Sequence, residues 1–241
     1  MSHYSDIGFT KFEDGDYYEE HYVDFINEIL SDKYGTHEVQ KAGEGRSLQT
    51  YSLGSIRYVF LVDDETDKVV DFEFGYKNDI KSYGTHAKLL NEAADTAFCN
   101  MQVEVGGIPF YFVCLNTLVS DFKELKEEDE IAFSVASFAN DIEILSEDEL
   151  PKSKHKRMAA ESYIAYFNHD PSNGFVSGII KGFALEQNPV TKENYYAVDA
   201  DCLGVHFKML VDPRLLEGKE LEAGKVIRGS FWNTAFFEGK K

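Results

Sequence analysis

The chain has 241 residues and a formal net charge of −19, and 43% of its residues are hydrophobic and 14% aromatic. This hydrophobic content predicts a globular protein of one large or two small domains and excludes a disordered chain. The polar first ten residues lack a secretory signal, and no apolar run approaches the roughly 18 residues of a membrane helix, so we expect a cytoplasmic protein with no membrane partner.

The negative charge is unevenly distributed along the chain. Residues 1–150 carry 32 Asp and Glu against 11 Lys and Arg, whereas residues 151–241 carry 11 against 13. Such asymmetry indicates two units with different surfaces. We therefore predict an acidic α+β domain over residues 1–150, a linker with a short helix over 151–173, and a β-barrel over 174–241.

The N-terminal unit begins with a predicted amphipathic helix over residues 16–30, with Asp16 as its N-cap. Alternating segments then predict a hairpin closed by Gly54 and Ser55 and a further strand over residues 69–76. A second helix, capped by Thr85, is predicted over residues 85–98. A hairpin around Gly106 and Gly107 follows, and then two strands complete a mixed, mainly antiparallel sheet; they are predicted over residues 130–138 and 141–146.

Beyond the linker the pattern predicts a short helix over residues 158–167 and then four strands. These strands are predicted over residues 174–185, 194–201, 204–211 and 225–237. Gly178, Gly182 and Gly229 fall inside strand patterns, where they mark the bends or bulges that closure of a small barrel requires.

The segments "SGIIKGF", "NYYAVDADCLGVHFKMLVD" and "LEAGKVIRGSFW" together resemble the oligonucleotide/oligosaccharide-binding (OB) fold. The resemblance covers about a quarter of the chain and rests on pattern, without a specific motif. The segment is also similar to C-terminal segments of uncharacterised bacterial proteins, a similarity that implies no known activity. What the OB resemblance implies is a small barrel able to bind single-stranded nucleic acid or an oligosaccharide.

Residues 101–145 and 198–237 show a similar order of features. Each contains a strand after a glycine corner, a long turn, an acidic corner and a second strand. This order is consistent with an old duplication, but successive β-hairpins also produce it, so the sequence leaves both interpretations open.

Alternation predicts that one face of the barrel is polar. The candidate ligand-binding residues are Tyr195, His206, Lys208 and Arg228. Asp199 and Asp201 share this face, which makes it a poor surface for a polyanion, so nucleic-acid binding is not expected. A hard cation beside Asp199, Asp201 and His206 is conceivable, but a solvated polar face is the simpler interpretation, and no metal or other cofactor is predicted.

No catalytic motif is present, because the sequence lacks G-x-S-x-G, a P-loop and a dinucleotide fingerprint. Cys99, Cys114 and Cys202 are widely spaced among apolar residues, which is typical of buried, reduced cysteines. Trp232 is expected in the core, the alternative being an exposed apolar edge with Phe236 and Phe237. We therefore expect a protein that is not an enzyme, with an unrecognised hydrolase as an alternative.

Charge is the feature of the sequence that points to function. The strongly acidic N-terminal unit predicts a protein-interaction module that binds a basic partner, as immunity and inhibitor proteins do. The OB-type ligand-binding module is the alternative from the fold, and the oligomeric state stays open. The candidate acidic surface consists of residues in two turns: Asp63, Asp64, Glu65, Glu127, Glu128 and Asp129.

Overall fold

The computed structural model describes residues 5–31, 35–90, 98–118, 124–126, 128–150, 160–166 and 172–241. These residues are mostly β, in a four-stranded sheet A and a nine-stranded sheet B. They contain one α-helix, α1 (Gly15–Leu30), and short 3-10 turns at Ser5–Ile7, Thr10–Glu13, Glu147–Glu149 and Pro213–Leu216. Within these ranges, no helix has the length and apolar character needed to cross a membrane.

Helix α1 begins one residue before the predicted start, and its N-cap is Asp14 rather than Asp16. The Asp14 carboxylate accepts hydrogen bonds from the backbone N–H groups of Asp16 at 3.1 Å and Tyr17 at 3.4 Å. These two groups are among the N–H groups that the first turn of a helix leaves without partners. The apolar face of α1 includes Phe25 and Ile29, which are buried and pack into the core beneath sheet A.

Sheet A is antiparallel throughout, in the order of the sequence. The hairpin predicted at Gly54 and Ser55 is present, and Gly54 has a φ of +63°, which a glycine adopts without steric cost. The fourth strand is also present, with bounds close to those predicted. The strands of sheet A are β1 (Thr36–Gly43), β2 (Arg46–Leu53), β3 (Ile56–Asp63) and β4 (Lys68–Tyr76).

Sheet B takes strands from both sides of Pro151. Its order is β11-β12-β8-β5-β6-β7-β13-β10-β9. Its strands are β5 (Ser82–Leu89), β6 (Cys99–Val105), β7 (Ile108–Cys114), β8 (Ile131–Leu145), β9 (Ser162–Ala165), β10 (Asn173–Gln187), β11 (Asn194–Cys202), β12 (Val205–Val211) and β13 (Val226–Lys240). The division of the sequence at residue 150 stays a prediction, and the pairing of strands does not follow it.

Two helix predictions differ from the structure. Thr85 lies within β5, where Thr85, Lys88 and Leu89 of the predicted helix pair with β6; residues 91–97 lie outside the described part. Residues 162–165 of the second predicted helix form β9, which pairs with β10, and residues 158–159 and 167 are not described. In both places pairing with the following strand outweighs a weak local helical pattern.

The strands predicted over residues 130–138 and 141–146 are one strand, β8. It pairs antiparallel with β13 from Ile131 through Leu145. The register shifts between Ala139 and Asp141, which leaves one extra residue in β8 at the place where the sequence pattern breaks. A β-bulge of this kind bends a strand without ending it.

The four C-terminal strands do not close a barrel by themselves. Strands β10, β11 and β12 pair in succession, and β10 also pairs with β13. The ring of pairings closes only through β8, which pairs in parallel with β12 and antiparallel with β13. A second ring runs through β5, β6, β7, β13 and β8, so the two rings share the β8–β13 ribbon.

The strands β5–β8 and β10–β13 repeat one pairing scheme. In each set the first strand pairs with the second and fourth, the second pairs with the third, and the third pairs in parallel with the fourth strand of the other set. Val113 of β7 pairs with Thr234 of β13, and Leu210 of β12 pairs with Phe138 of β8. Leu210 lies 97 positions after Val113, and Phe138 lies 96 positions before Thr234. This exchange of partners supports the duplication that the sequence left open.

Ser137 and Asn233 form the cross-strand pair at the centre of this arrangement. Both are fully buried, and the Ser137 hydroxyl donates to the Asn233 Oδ1 at 2.6 Å. The Asn233 side-chain amide donates to the backbone carbonyl of Ser172 at 2.8 Å. The polar pair is therefore satisfied inside an apolar core, as buried polar groups generally are.

Apolar side chains form two main clusters on the two faces of sheet B. One cluster joins α1 and sheet A to Phe138, Tyr195 and Trp232 on the facing side of sheet B. The other lies within the rings and contains Phe112, Phe231 and their neighbours. Trp232 is 7% exposed and packs against Phe74 and Phe138, so its predicted core position is confirmed; Phe236 and Phe237 are also buried.

The three cysteines are free and buried, as predicted. Burial raises the pKa of the Cys114 thiol to about 11 and that of Cys202 to about 12. Because the thiolate is the reactive form, at pH 8 we expect a disulfide reagent to label native Cys114 about 100-fold, and native Cys202 about 1,000-fold, more slowly than the same cysteines of the unfolded chain. Mass spectrometry of peptides after timed labelling would test this, and rapid labelling of Cys114 or Cys202 in native buffer would contradict it.

Candidate functional site

Tyr195, predicted on an open barrel face, is buried. Its side chain is 1% exposed because sheet A packs over this part of β11. Its hydroxyl donates to the Glu186 carboxylate at 2.7 Å, and the hydroxyl of Tyr76 donates to the other carboxylate oxygen at 2.6 Å. Burial, followed by the Glu186 hydrogen bond, raises the pKa of both tyrosines. Tyr195 therefore links sheet A to the β10–β11 hairpin and offers no open stacking surface.

His206 and Lys208 lie together on β12, where the sequence placed them, beside the carboxylates of β11. The two ring nitrogens of His206 lie 2.9 Å from Asp201 Oδ1 and 3.1 Å from Asp199 Oδ1. The Lys208 ammonium pairs with Asp199. His206 is 8% exposed, and its backbone N–H donates to the Ser82 hydroxyl of β5 at 2.8 Å.

This group on β11 and β12 is a set of mutually satisfied partners. Lys181 of β10 lies 3.3 Å from Asp201 and adds a second ammonium to it. Each carboxylate thus already faces a ring nitrogen of His206 and an ammonium group. Among the described residues, no group of histidine, cysteine and carboxylate side chains is arranged to hold a metal ion.

Arg228 contacts a different partner from His206 and Lys208. Its Nε and Nη2 atoms lie 2.8 and 2.6 Å from one carboxylate oxygen of Glu143. The two residues are cross-strand partners on β13 and β8. The ion pair is half exposed, so it adds little to stability and uses the donors that would face a ligand.

The acidic residues suggested by the sequence lie on separate elements. Asp63 is the last residue of β3, and Asp64 and Glu65 follow it in the β3–β4 turn of sheet A. Glu128 and Asp129 precede β8 of sheet B, and Glu127 lies outside the described residues. Several of them already stabilise local structure. Asp63 accepts hydrogen bonds from the backbone and hydroxyl of Thr66, which lower its pKa.

Two further members of that set form ion pairs. Asp64 lies 2.8 Å from the Lys41 ammonium, a hydrogen bond that lowers the pKa of Asp64. Asp129 accepts a hydrogen bond from the backbone N–H of Lys126 at 2.7 Å and pairs with Lys240 at 2.8 Å, and both contacts lower its pKa. The negative charge of these two turns is therefore partly neutralised by local contacts, and another acidic surface of the N-terminal region is less neutralised.

The outer face of α1 carries a line of carboxylates that the sequence analysis missed. Asp16, Glu20 and Asp24 are exposed and Glu28 is partly buried, and all four are spaced four residues apart. Residues at this spacing lie on one side of a helix, and the helix contains no Lys or Arg. We call these four residues the α1 acidic stripe; their spacing was the signal available in the sequence.

A cavity of about 310 Å³ lies next to the stripe, between α1, the residues preceding it and the β10–β11 turn. Hydrogen bonds hold the last two together. The Asn188 side-chain amide donates to the backbone carbonyl of Ile7 at 2.6 Å, and the Thr191 hydroxyl donates to that of Gly8 at 2.5 Å. The backbone N–H and hydroxyl of Thr10 donate to the Glu193 carboxylate at 3.0 and 2.7 Å.

Gly8 explains why these segments approach so closely. Its φ is +80°, and a Cβ atom there would lie 2.9 Å from the Asn188 Cβ. A larger residue would strain the backbone and push the two segments apart. The walls of the cavity include Asp24 and Glu28 of the stripe.

The chain was compared with protein-family models, curated proteins and solved structures, and none of the three comparisons found a match. The residues of the site are therefore the basis for its function.

Proposed function

We propose that the protein is a non-enzymatic interaction module whose acidic N-terminal surface binds a basic protein partner, in the manner of immunity or inhibitor proteins. The observation that carries the proposal is the α1 acidic stripe, which adds a defined position to the −21 formal charge of residues 1–150. A cytoplasmic location, supported by the three free cysteines, is part of the same proposal.

Apart from Asp16, which lies in the first turn where the helix dipole favours a carboxylate, the stripe does not stabilise the helix that carries it. Like charges four residues apart disfavour a helix by about 0.2–0.5 kcal/mol per pair. Glu28 lies in the last turn, near the negative end of the helix dipole, where a carboxylate is disfavoured. A cationic surface that contacts the stripe would remove both unfavourable terms, so the arrangement supports binding rather than stability.

Net charge also supports fast association. The surplus of carboxylates over residues 1–150 produces a negative field that attracts a basic protein and raises its association rate. By contrast, the charges of Asp199 and Asp201 are paired within the molecule with the ammonium groups of Lys208 and Lys181, which favours the α1 side as the contact surface.

A cationic peptide of repeated Lys and Ala tests the proposal. We expect it to bind the protein with an affinity that falls steeply between 50 and 200 mM salt, because the contact is electrostatic. Neutralising the stripe with Asp16→Asn, Glu20→Gln and Asp24→Asn should weaken binding about tenfold at low salt. Titration calorimetry at several salt concentrations would measure both effects.

The matched control changes the same net charge elsewhere. Three exposed glutamates of the C-terminal region are replaced: Glu217→Gln, Glu220→Gln and Glu222→Gln. We expect this variant to retain nearly all the affinity. Equal weakening by the two triple variants, or an affinity independent of salt, would reject the stripe as the contact surface.

An OB-type ligand-binding module is the second candidate. The observation that favours it is the closed ring of pairings through β10, β11, β12, β8 and β13. Since the ammonium groups on its polar face are paired with carboxylates, an uncharged oligosaccharide fits this candidate better than a nucleic acid. Binding of a neutral oligosaccharide with no salt dependence would favour it over the acidic surface.

A further inference from the structure

The cavity beside the stripe combines carboxylates with aromatic rings. Asp24 and Glu28 of α1 and Glu193 of the β10–β11 turn contribute three negative charges, and Lys11 contributes one positive charge. Tyr17 and Phe25 also line the cavity. The ionisable carboxylate and ammonium groups of the walls therefore sum to a net negative charge around an aromatic surface.

His21 presents a hydrogen-bond acceptor to this cavity. Its Nδ1 lies 2.9 Å from the backbone carbonyl of Tyr17, and because a carbonyl only accepts, the Nδ1 atom carries the hydrogen. In the neutral ring Nε2 is then an acceptor, and among the described residues it has no hydrogen-bond partner. The ring stacks on Tyr17, with centroids 4.0 Å apart, which fixes its orientation.

Asp24 is the second acceptor without a partner. It is exposed at the rim of the cavity, and within the described parts of the chain it makes no hydrogen bond or ion pair. Glu193 differs, because both of its carboxylate oxygens accept from Thr10, so it contributes charge in a fixed position. The cavity thus presents acceptors and aromatic rings, and its one ammonium, Lys11, is exposed 5.9 Å from the Tyr17 ring centroid.

We propose that this cavity receives an arginine side chain of the basic partner. The inference rests on the proposed function and names the anchor of the interface. A guanidinium group is planar, always charged and carries five N–H donors, which suits Asp24, the Nε2 of His21 and stacking on an aromatic ring. The volume of about 310 Å³ lies at the lower limit of small-molecule sites, which suits one long side chain.

Arginine is also one of the residues that protein interfaces use in this way. Arginine is enriched among the few interface residues that dominate binding, and such residues fill pockets surrounded by weaker contacts. Here the remainder of the stripe, Asp16 and Glu20, would form the surrounding electrostatic contacts. Lysine has no planar fork to match two acceptors, so it should bind less tightly.

The test uses N-acetyl-arginine methylamide with the full chain, and its citrulline analogue as an uncharged control of the same shape. In an NMR titration we expect the arginine compound to shift the amide resonances of residues 17–28 and 190–193, and the citrulline compound to leave them unchanged. Asp24→Asn should weaken arginine binding about tenfold, since a charge-assisted hydrogen bond is lost. Glu220→Gln, with the same change in charge far along the sequence, should leave it unaffected.

The outcomes separate this inference from the proposed function. Equal shifts with the citrulline compound, no shifts with either compound, or arginine binding that is unchanged in Asp24→Asn would overturn the anchor. If the Lys and Ala peptide still binds with strong salt dependence in that case, the acidic surface stands without the cavity. If the peptide does not bind at all, the proposed function fails first, independently of the arginine result.

Discussion

Replacing Gly229 with alanine should destabilise the protein more than the same replacement at the other glycines within β10–β13. Gly229 pairs with Ile142 in the β8–β13 ribbon, and a Cβ at this position would lie 2.0 Å from the backbone carbonyl oxygen of Asp141. A backbone atom in a paired strand cannot rotate away, so the two strands must separate. We expect a loss of about 3 kcal/mol or more in the free energy of unfolding.

Gly182→Ala is the matched control for this variant. Gly182 lies in β10, also within a strand, but a Cβ there would meet no atom within 4 Å. Because alanine restricts the unfolded chain more than glycine, this variant should be neutral or slightly more stable. Urea denaturation followed by circular dichroism measures both. Similar midpoints for the two variants would show that the β8–β13 ribbon tolerates the methyl group.

Phe74→Ala should weaken the contact between sheet A and sheet B. The Phe74 ring packs edge-on against Phe138 at 5.0 Å and Trp232 at 5.6 Å between ring centroids, and it is 5% exposed. Removing a buried phenylalanine generally costs about 3–5 kcal/mol, because the cavity does not fully collapse. Trp232 is the single tryptophan, so its fluorescence reports on this contact directly.

The expected readout has two parts. The urea midpoint of Phe74→Ala should fall, and the native emission should shift to longer wavelength as water reaches the indole ring. Val70→Ala, on the same strand but 46% exposed, should change stability by less than about 0.5 kcal/mol and leave the emission unchanged. Unaltered native fluorescence in Phe74→Ala would contradict the contact between the two sheets.

Local signals predicted the hairpins and failed where a partner was distant. Gly54 and Gly106 have positive φ values in tight turns between alternating strands, and that information lies within a few residues. Thr85 begins a stretch whose composition resembles a helix, yet it pairs with Glu104 of β6. Its β conformation is decided by strands that the local pattern does not contain.

The residues of the candidate site also divide into those that the local pattern placed correctly and those that only tertiary packing decided. Alternation brought His206 and Lys208 to one face with Asp199 and Asp201, since neighbouring strands with a tight turn have a predictable register. The same alternation made Tyr195 exposed, whereas packing of sheet A on this part of β11 buries it. The α1 acidic stripe was readable from spacing, but the cavity beside it required the β10–β11 turn to dock on residues 7–10.

By itself, the sequence determined the turns, most strand positions, the amphipathic helix and the concentration of negative charge in residues 1–150, because each depends on neighbours in the chain. The tertiary structure alone decided that β8 closes the C-terminal ring and that β13 closes the other. Parallel pairing of β12 with β8 joins residues about 70 positions apart, and no local periodicity encodes such a contact. The energy of that contact comes from burying both strands together, so it exists only when the whole sheet has formed.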